Sequence, residues 1–266
     1  MEKMESSIEI APKGSFFEVD SEGYLINPAS LEKIQEKWKP LIKDIVELYK
    51  NRFSDQLRNV YIRGSVAKGE AVEGISDIDT YAYVTLNDGQ IEQLSTGNPE
   101  KELISKYPFV ESIELHAMPI ETAQERDEII FLNQSVCVYG TPIEVTKIKP
   151  GKDTIIHIPN IHKRIDWLKD FLSKEQSDKE IKSGCVWIMK GLLRSGCELV
   201  MERSKKYTRD LYPCYQIFSE YYPEKEPEMK EVLYLALNPT GDKAKIEEVM
   251  DSLGIWLQEQ YKKAYE

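Results

Sequence analysis

The residues of this chain best suited to chemistry lie in one stretch, residues 60–84. It contains the pair Gly64-Ser65 and, after eleven further residues, the acids Asp77 and Asp79. A glycine in a tight turn lets a ligand approach the backbone closely. Alternation along a strand places Asp77 and Asp79 on one face. Paired carboxylates suit Mg²⁺, which commonly binds through one or two of them together with substrate phosphates.

The elements that must position these groups are predicted from the same stretch. β-branched and aromatic residues crowd 60–62 and predict a short strand that ends at Gly64. Ser65 stands at the beginning of a predicted short helix, 66–70, where backbone N–H groups can bind phosphate. A second strand is predicted over 77–84.

The order strand, Gly-Ser, helix, and strand with Asp-x-Asp resembles the polymerase-β-like nucleotidyltransferase superfamily. The matching residues are Gly64-Ser65-Val66-Ala67-Lys68-Gly69-Glu70 and Ser76-Asp77-Ile78-Asp79. Such enzymes transfer a nucleoside monophosphate from a triphosphate to a hydroxyl. Two Mg²⁺ ions activate the nucleophile and neutralise the leaving pyrophosphate. Lys68, one turn after Ser65, can reach the phosphates; a surface lysine is the alternative.

A third carboxylate is expected, because a two-metal site needs acids from more than one strand. Residues 110–118 alternate as a strand and carry Glu114 between apolar neighbours. Glu144 has a similar setting, but it follows the helix that should close the sheet. We therefore predict that three acids are metal ligands and catalytic residues: Asp77, Asp79 and Glu114. Glu144 is the second choice for the third acid.

Within the superfamily, the chain most resembles aminoglycoside adenylyltransferases of the streptomycin/spectinomycin type. The features that carry this are the length, a compact N-terminal transferase domain, a Glu as third carboxylate and a helical C-terminal domain. The resemblance implies transfer of AMP from ATP, or of another nucleotide, to a small cationic acceptor, and hence antibiotic resistance. It makes Glu114 the base that deprotonates the acceptor hydroxyl. It also places Arg209, in the basic stretch 205–210, at the nucleotide phosphates; a solvated turn is the alternative.

The remainder of the chain predicts an α+β fold in two domains, which suits 266 residues. We place a nucleotidyltransferase domain, with a mixed β-sheet flanked by helices, at 1–155. An all-α helical domain that closes over substrate and nucleotide follows at 156–266, because helical periodicity is continuous from Ile161 onward.

Three local predictions complete the first domain. A helix beginning at Pro28 should reach residue 49 with a kink at Pro40. A second helix is predicted over 121–134, and a strand on either side of the turn at 140–142.

Charge and composition restrict the partners. A net charge of −11 favours cationic small molecules and disfavours nucleic acid, although an acidic surface also serves solubility alone. No apolar run approaches a membrane span, and the first residues lack the apolar core of a signal peptide. Four cysteines without C-x-x-C spacing fit a reducing cytoplasm.

Two other functions remain open at this point. A toxin-type nucleotidyltransferase would keep the chemistry but modify a protein or tRNA. A nucleotide-binding module without catalysis would keep the fold but lose the transfer. The base preference and the choice between monomer and homodimer are also open.

Overall fold

The computed structural model describes residues 10–265, which fall into two compact units. One unit is Glu18–Ile148, and the other combines residues 10–17 with residues 149–265. The first contains the β-sheet and the second is helical, so the predicted α+β class is confirmed. The division falls a few residues before the boundary predicted between 155 and 156. The outermost parts of the predicted domains, residues 1–9 and 266, lie outside the described residues.

A four-stranded mixed sheet in the order β3-β2-β1-β4 organises the first unit. Its strands are β1 (Leu57–Arg63), β2 (Ile78–Val84), β3 (Ile113–Pro119) and β4 (Ser135–Tyr139). β1 runs antiparallel to β2 and β4, whereas β2 and β3 are parallel. A parallel pair needs a crossover connection. Here the crossover contains the helices α3 (Asp88–Leu94) and α4 (Pro99–Lys106). Two earlier helices flank β1 in the chain: α1 (Lys39–Phe53) precedes it and α2 (Gly64–Lys68) follows it.

The core of this unit lies on the sheet face that α1 covers. Leu41, Ile45 and Tyr49 of α1 are buried with Ile78 and Ala82 of β2. Period-two alternation sends the residues between them, among them Asp79, to the opposite face. That face packs a second, smaller apolar cluster, which includes Tyr61, Tyr83 and Phe131, and it also carries Asp79.

The helix predicted to begin at Pro28 was wrong in its first half. Leu31–Lys33 and Glu36–Trp38 are single 3₁₀ turns, and α1 begins only at Lys39. Pro40 stands in the first turn of α1, where backbone N–H groups have no hydrogen-bond acceptor within the helix. The lack of an N–H on Pro40 therefore costs no helical hydrogen bond, and the residue begins the helix without kinking it.

Two further predictions needed correction. The helix predicted over 121–134 is a 3₁₀ segment, Ile120–Gln124, followed by α5 (Arg126–Leu132). The strand predicted after the 140–142 turn is absent: residues 143–145 form neither a strand nor a helix.

The helical unit is built around one long helix. In chain order the helices are α6 (Ile161–Ser173), α7 (Asp178–Ser204), α8 (Leu211–Tyr221), α9 (Glu226–Leu237), α10 (Lys243–Val249) and α11 (Ile255–Tyr265). α7 is apolar and buried over most of its length, as expected for a central helix. Gly196 permits the close packing, because a Cβ there would lie 2.9 Å from Phe218 Cδ2 of α8. Among residues 10–265 no helix has the length and apolar run needed to cross a membrane.

Candidate functional site

The turn between β1 and α2 brings the backbone close to an acid. Gly64 has φ +75°, which few other residues adopt without strain. A Cβ built on Gly64 would lie 3.7 Å from Asp79 Oδ2. Ser65 follows in the first turn of α2, which spans only Gly64–Lys68. The predicted strand, Gly-Ser turn and short helix are thus present, and the turn lies against the Asp79 carboxylate.

Strand register places three charged residues in one row across the sheet. Asp79 pairs with Arg63 of β1 on one side and with Glu114 of β3 on the other. β3 is thus the neighbour of β2, the position expected for the strand with Glu114.

A buried polar pair on the core face supports this register. Thr80 donates a hydrogen bond to the carbonyl of Glu114 at 2.9 Å, and the Tyr49 hydroxyl lies 2.7 Å from the Thr80 hydroxyl. Both residues are buried, so breaking these bonds would leave unsatisfied polar groups. The backbone at Glu114 is therefore firmly attached to β2.

The acids of the site influence each other electrostatically. Asp77 is exposed just before β2, and the Asp79 side chain is only 18% exposed. Burial raises the pKa of the Asp79 carboxyl above its ordinary value. Arg63 opposes this effect, while the negative charges of Asp77 and Glu114 add to it. The three predicted acids therefore form one electrostatic cluster, to which a cation would be attracted.

Arg63 is a member of the site that the sequence reasoning missed. Its Nε donates to Asp79 Oδ2 at 3.3 Å. Its guanidinium lies over the rings of Phe131 and Tyr81, with centroid distances of 4.8 Å and 5.4 Å. Its position in the sequence could have indicated this role. Arg63 lies directly before Gly64, at the end of a strand whose buried residues are all uncharged.

Glu114 has a side-chain partner on its own strand. His116 Nε2 lies 3.2 Å from Glu114 Oε2, and both side chains are about half exposed. The His116 ring stacks on Tyr81 at 4.8 Å. Glu114 is thus accessible to a ligand and has an imidazole within hydrogen-bonding distance.

The other predicted residues lie in different surroundings. Lys68 pairs with Glu70 at 2.7 Å. Glu144, the second choice for the third acid, is exposed in the segment after β4 and lies on no strand. Arg209 belongs to the helical unit, where its Nη1 is 3.5 Å from His157 Nε2. Its predicted role at the nucleotide stays a prediction.

The donor set can be compared with what Mg²⁺ requires. Within residues 10–265 no group of three or more His, Cys, Asp or Glu side chains is arranged as a ready metal site. The chemistry of the cluster nevertheless fits, because carboxylate oxygens are the donors Mg²⁺ prefers and substrate phosphates normally complete its coordination. Burial and, to a smaller extent, the negative charges of Asp77 and Glu114 raise the pKa of Asp79, and a bound cation would offset those negative charges.

Comparisons with known proteins found similarity in structure but not in sequence. No family model matches the chain, and no curated protein matches it in sequence. The chain is similar to a crystal structure of spectinomycin adenyltransferase from Enterococcus faecialis, solved with ATP and spectinomycin. The two share 12% identity over 84% of this chain and 99% of that chain, with a TM-score of 0.49. At this level of similarity the function has to be argued from the site itself.

Proposed function

We propose that this chain is a Mg²⁺-dependent nucleotidyltransferase that transfers AMP from ATP to a hydroxyl of a small cationic acceptor such as an aminoglycoside. The observation that carries the proposal is the register that places Asp79 beside Glu114, with the Gly64 turn against the Asp79 carboxylate. The Gly64 turn thus lies beside two acids that neighbour each other in one sheet, Asp79 and Glu114. Nucleotidyl transfer requires this combination, because the barrier is largely the approach of one anion to another.

The phosphate side of the reaction falls to the β1–α2 turn. Gly64 has no side chain, so a phosphate can approach the backbone of the turn more closely than it could at any other residue. Ser65 supplies a hydroxyl that can donate to a phosphate oxygen. Lys68 would have to exchange its Glu70 partner for a phosphate to contribute its charge.

The acids serve cation binding and proton transfer. Asp77, Asp79 and Glu114 would hold Mg²⁺, which when bound supplies charge neutralisation for the nucleophile and the pyrophosphate. Glu114 is the proposed general base: its carboxylate accepts the proton of the acceptor hydroxyl. The hydroxyl oxygen then attacks the α-phosphorus of ATP, the bond from that phosphorus to the bridging α,β-oxygen breaks, and pyrophosphate leaves. The exposure of Glu114 suits this role, because a base must reach the proton that it removes.

The acceptor class follows from charge. With a net charge of −11 the chain attracts cations and repels polyanions such as tRNA. The acidic cluster extends this bias to the site. A small polycation with free hydroxyls, the chemistry of an aminoglycoside, is therefore the proposed acceptor.

A transfer assay with each nucleoside triphosphate labelled on its α-phosphate tests the proposal. The acceptors are a panel of aminoglycosides, bulk tRNA and a protein extract, with Mg²⁺ present. We expect label from ATP on an aminoglycoside, lost in Asp79→Asn and retained in Asp55→Asn, a change at an exposed acid distant from the cluster in the same unit. Circular dichroism checks that both variants are folded.

The other outcomes point elsewhere. Label on tRNA or protein would replace the proposed acceptor by that of a toxin-type enzyme. Nucleotide binding by the wild-type protein without any transfer would indicate a binding module. Full activity in Asp79→Asn would remove the acid cluster from the mechanism.

A further inference from the structure

We propose that Arg63 is a built-in counter-ion that limits the affinity of the acid cluster for divalent cations. The inference rests on the proposed function, because it takes Asp79 as a ligand of such a cation. It assigns Arg63 a role in tuning the site through Asp79, which is separate from contact with the reacting atoms.

The geometry shows that the guanidinium has a defined position at the cluster. Its Nε is 3.3 Å from Asp79 Oδ2, and the Arg63 side chain is only 26% exposed. The aromatic rings under it come from two elements, Tyr81 of β2 and Phe131 of α5. A positive charge held in this way stays beside Asp79 and does not extend into solvent as a surface arginine does.

Charge explains why such an arginine is needed. The Asp79 side chain is largely shielded from solvent and lies within electrostatic reach of Asp77 and Glu114. Shielded charges of one sign are costly unless a partner compensates them. Arg63 brings one positive charge to this group of acids and so offsets part of their negative charge. Without the guanidinium the same acids would attract a cation more strongly.

The magnitude of the effect is accessible to measurement. One positive charge a few ångströms from a divalent cation changes its affinity by at least about tenfold, even at the high effective dielectric of a protein surface. The sign distinguishes this role from a structural one. A residue that merely holds the fold together would lower the affinity, or leave it unchanged, when it is replaced.

The experiment measures Mn²⁺ binding by electron paramagnetic resonance at pH 8, without nucleotide. We expect Arg63→Met to bind Mn²⁺ at least about tenfold more tightly than the wild-type protein. Arg63→Lys, which keeps the charge, should stay within about threefold of wild type. The matched control is Arg58→Met, an exposed arginine on the same strand, whose charge is screened by solvent and salt. Thermal melts establish that each variant is folded, and Arg63→Gln replaces Arg63→Met if that variant is not.

Each other result overturns the inference. Binding by Arg63→Met that is unchanged or weaker removes the counter-ion role. Equal tightening in Arg63→Lys would attribute the effect to shape, and equal tightening in Arg58→Met would attribute it to net charge. The transfer assay on the wild-type protein separates the two proposals. If the wild-type protein transfers nucleotide and Arg63→Met binds Mn²⁺ no more tightly, the proposed function holds and the counter-ion role is wrong. If the wild-type protein transfers no nucleotide, the proposed function itself is wrong.

Discussion

Asp79 of β2 and Glu114 of β3 face each other across a parallel strand pair, although two helices separate them along the chain. The same register places Arg63 of β1 on the other side of Asp79. One row across the sheet therefore contains an accessible acid, Glu114, a shielded acid, Asp79, and the positive charge of Arg63. This arrangement allows each of them to be tested separately.

Replacing Glu114 by Gln separates proton transfer from nucleotide binding. The amide is isosteric but cannot accept the hydroxyl proton, and loss of a general base costs on the order of 10²–10⁴ in rate. Turnover should fall by that factor, while nucleotide affinity, measured by calorimetry without acceptor, should change far less because Asp77 and Asp79 remain. The control is Glu111→Gln, an exposed acid just before β3. If Glu144→Gln abolishes turnover and Glu114→Gln does not, the base has been assigned to the wrong residue.

Ser65 should contribute to nucleotide affinity through its hydroxyl. A hydrogen bond to a charged group contributes about 1.5–3 kcal/mol, so Ser65→Ala should weaken nucleotide use by about tenfold or more. The measurement is KM for the triphosphate together with direct binding. Ser105→Ala is the matched control, because that exposed hydroxyl donates to a carbonyl of its own helix, Lys101 O at 2.8 Å. Equal KM values for Ser65→Ala and the wild-type protein would contradict the assignment.

Two glycines with the same backbone conformation separate strain from function. Gly64 and Gly74 have φ +75° and +72°, so Ala at either position should destabilise the protein by about 1–2 kcal/mol. Only at Gly64 would the new methyl group point toward Asp79, whereas nothing lies within 4 Å at Gly74. Urea denaturation should show similar losses for the two variants, and only Gly64→Ala should also lose nucleotide affinity. A similar loss of affinity in Gly74→Ala would mean that the turn has no special role.

Glu198 of α7 should govern part of the pH dependence of stability. It is buried and accepts backbone N–H bonds from Ile156, His157 and Ile158 at 3.1, 2.7 and 2.8 Å. Burial raises its pKa to about 7, against the lowering effect of those three bonds and of Arg209. Below the unfolded pKa of 4.5 the group is protonated in both states and costs nothing. Between that value and about 7 the unfolded chain has lost the proton while the folded protein keeps it, so the free energy of unfolding falls as pH rises.

The test compares the slope of stability against pH. Relative to Glu198→Gln, the wild-type protein should lose up to about 3 kcal/mol between pH 4.5 and 7, since each pKa unit corresponds to about 1.36 kcal/mol. Glu198→Gln will be less stable overall, because its amide N–H₂ group will face backbone N–H groups that are themselves donors. The slope of stability against pH is therefore the decisive quantity. Glu259→Gln, at an exposed position of α11, should leave the slope as in wild type. Parallel curves for Glu198→Gln and wild type would exclude the role of Glu198.

Features set by neighbouring residues could be predicted from the sequence. The strand that ends at Gly64, the turn and the strand that carries Asp79 depend on local conformational preferences, and the structure has all three. The helical unit likewise has its first long helix, α6, beginning at Ile161, where helical periodicity was predicted to start, because apolar periodicity acts within one or two turns. Pro40 shows the limit of such reasoning: proline is compatible with both a kink and a helix start. Packing of the preceding segment, which buries Trp38 in the core, selects the start.

Relationships between strands had to come from the tertiary structure. Parity along the predicted strand 77–84 predicts that Asp77 and Asp79 share a face, but only the pairing of β2 with β3 determined which acid of the chain lies beside Asp79. The same is true of Arg63: its sequence position before Gly64 is apparent, yet its charge matters because β1 pairs with β2 and because α5 places Phe131 under the guanidinium. Such contacts join residues far apart in the chain, and their formation depends on the burial of a whole sheet face, a free energy that no local window of sequence contains.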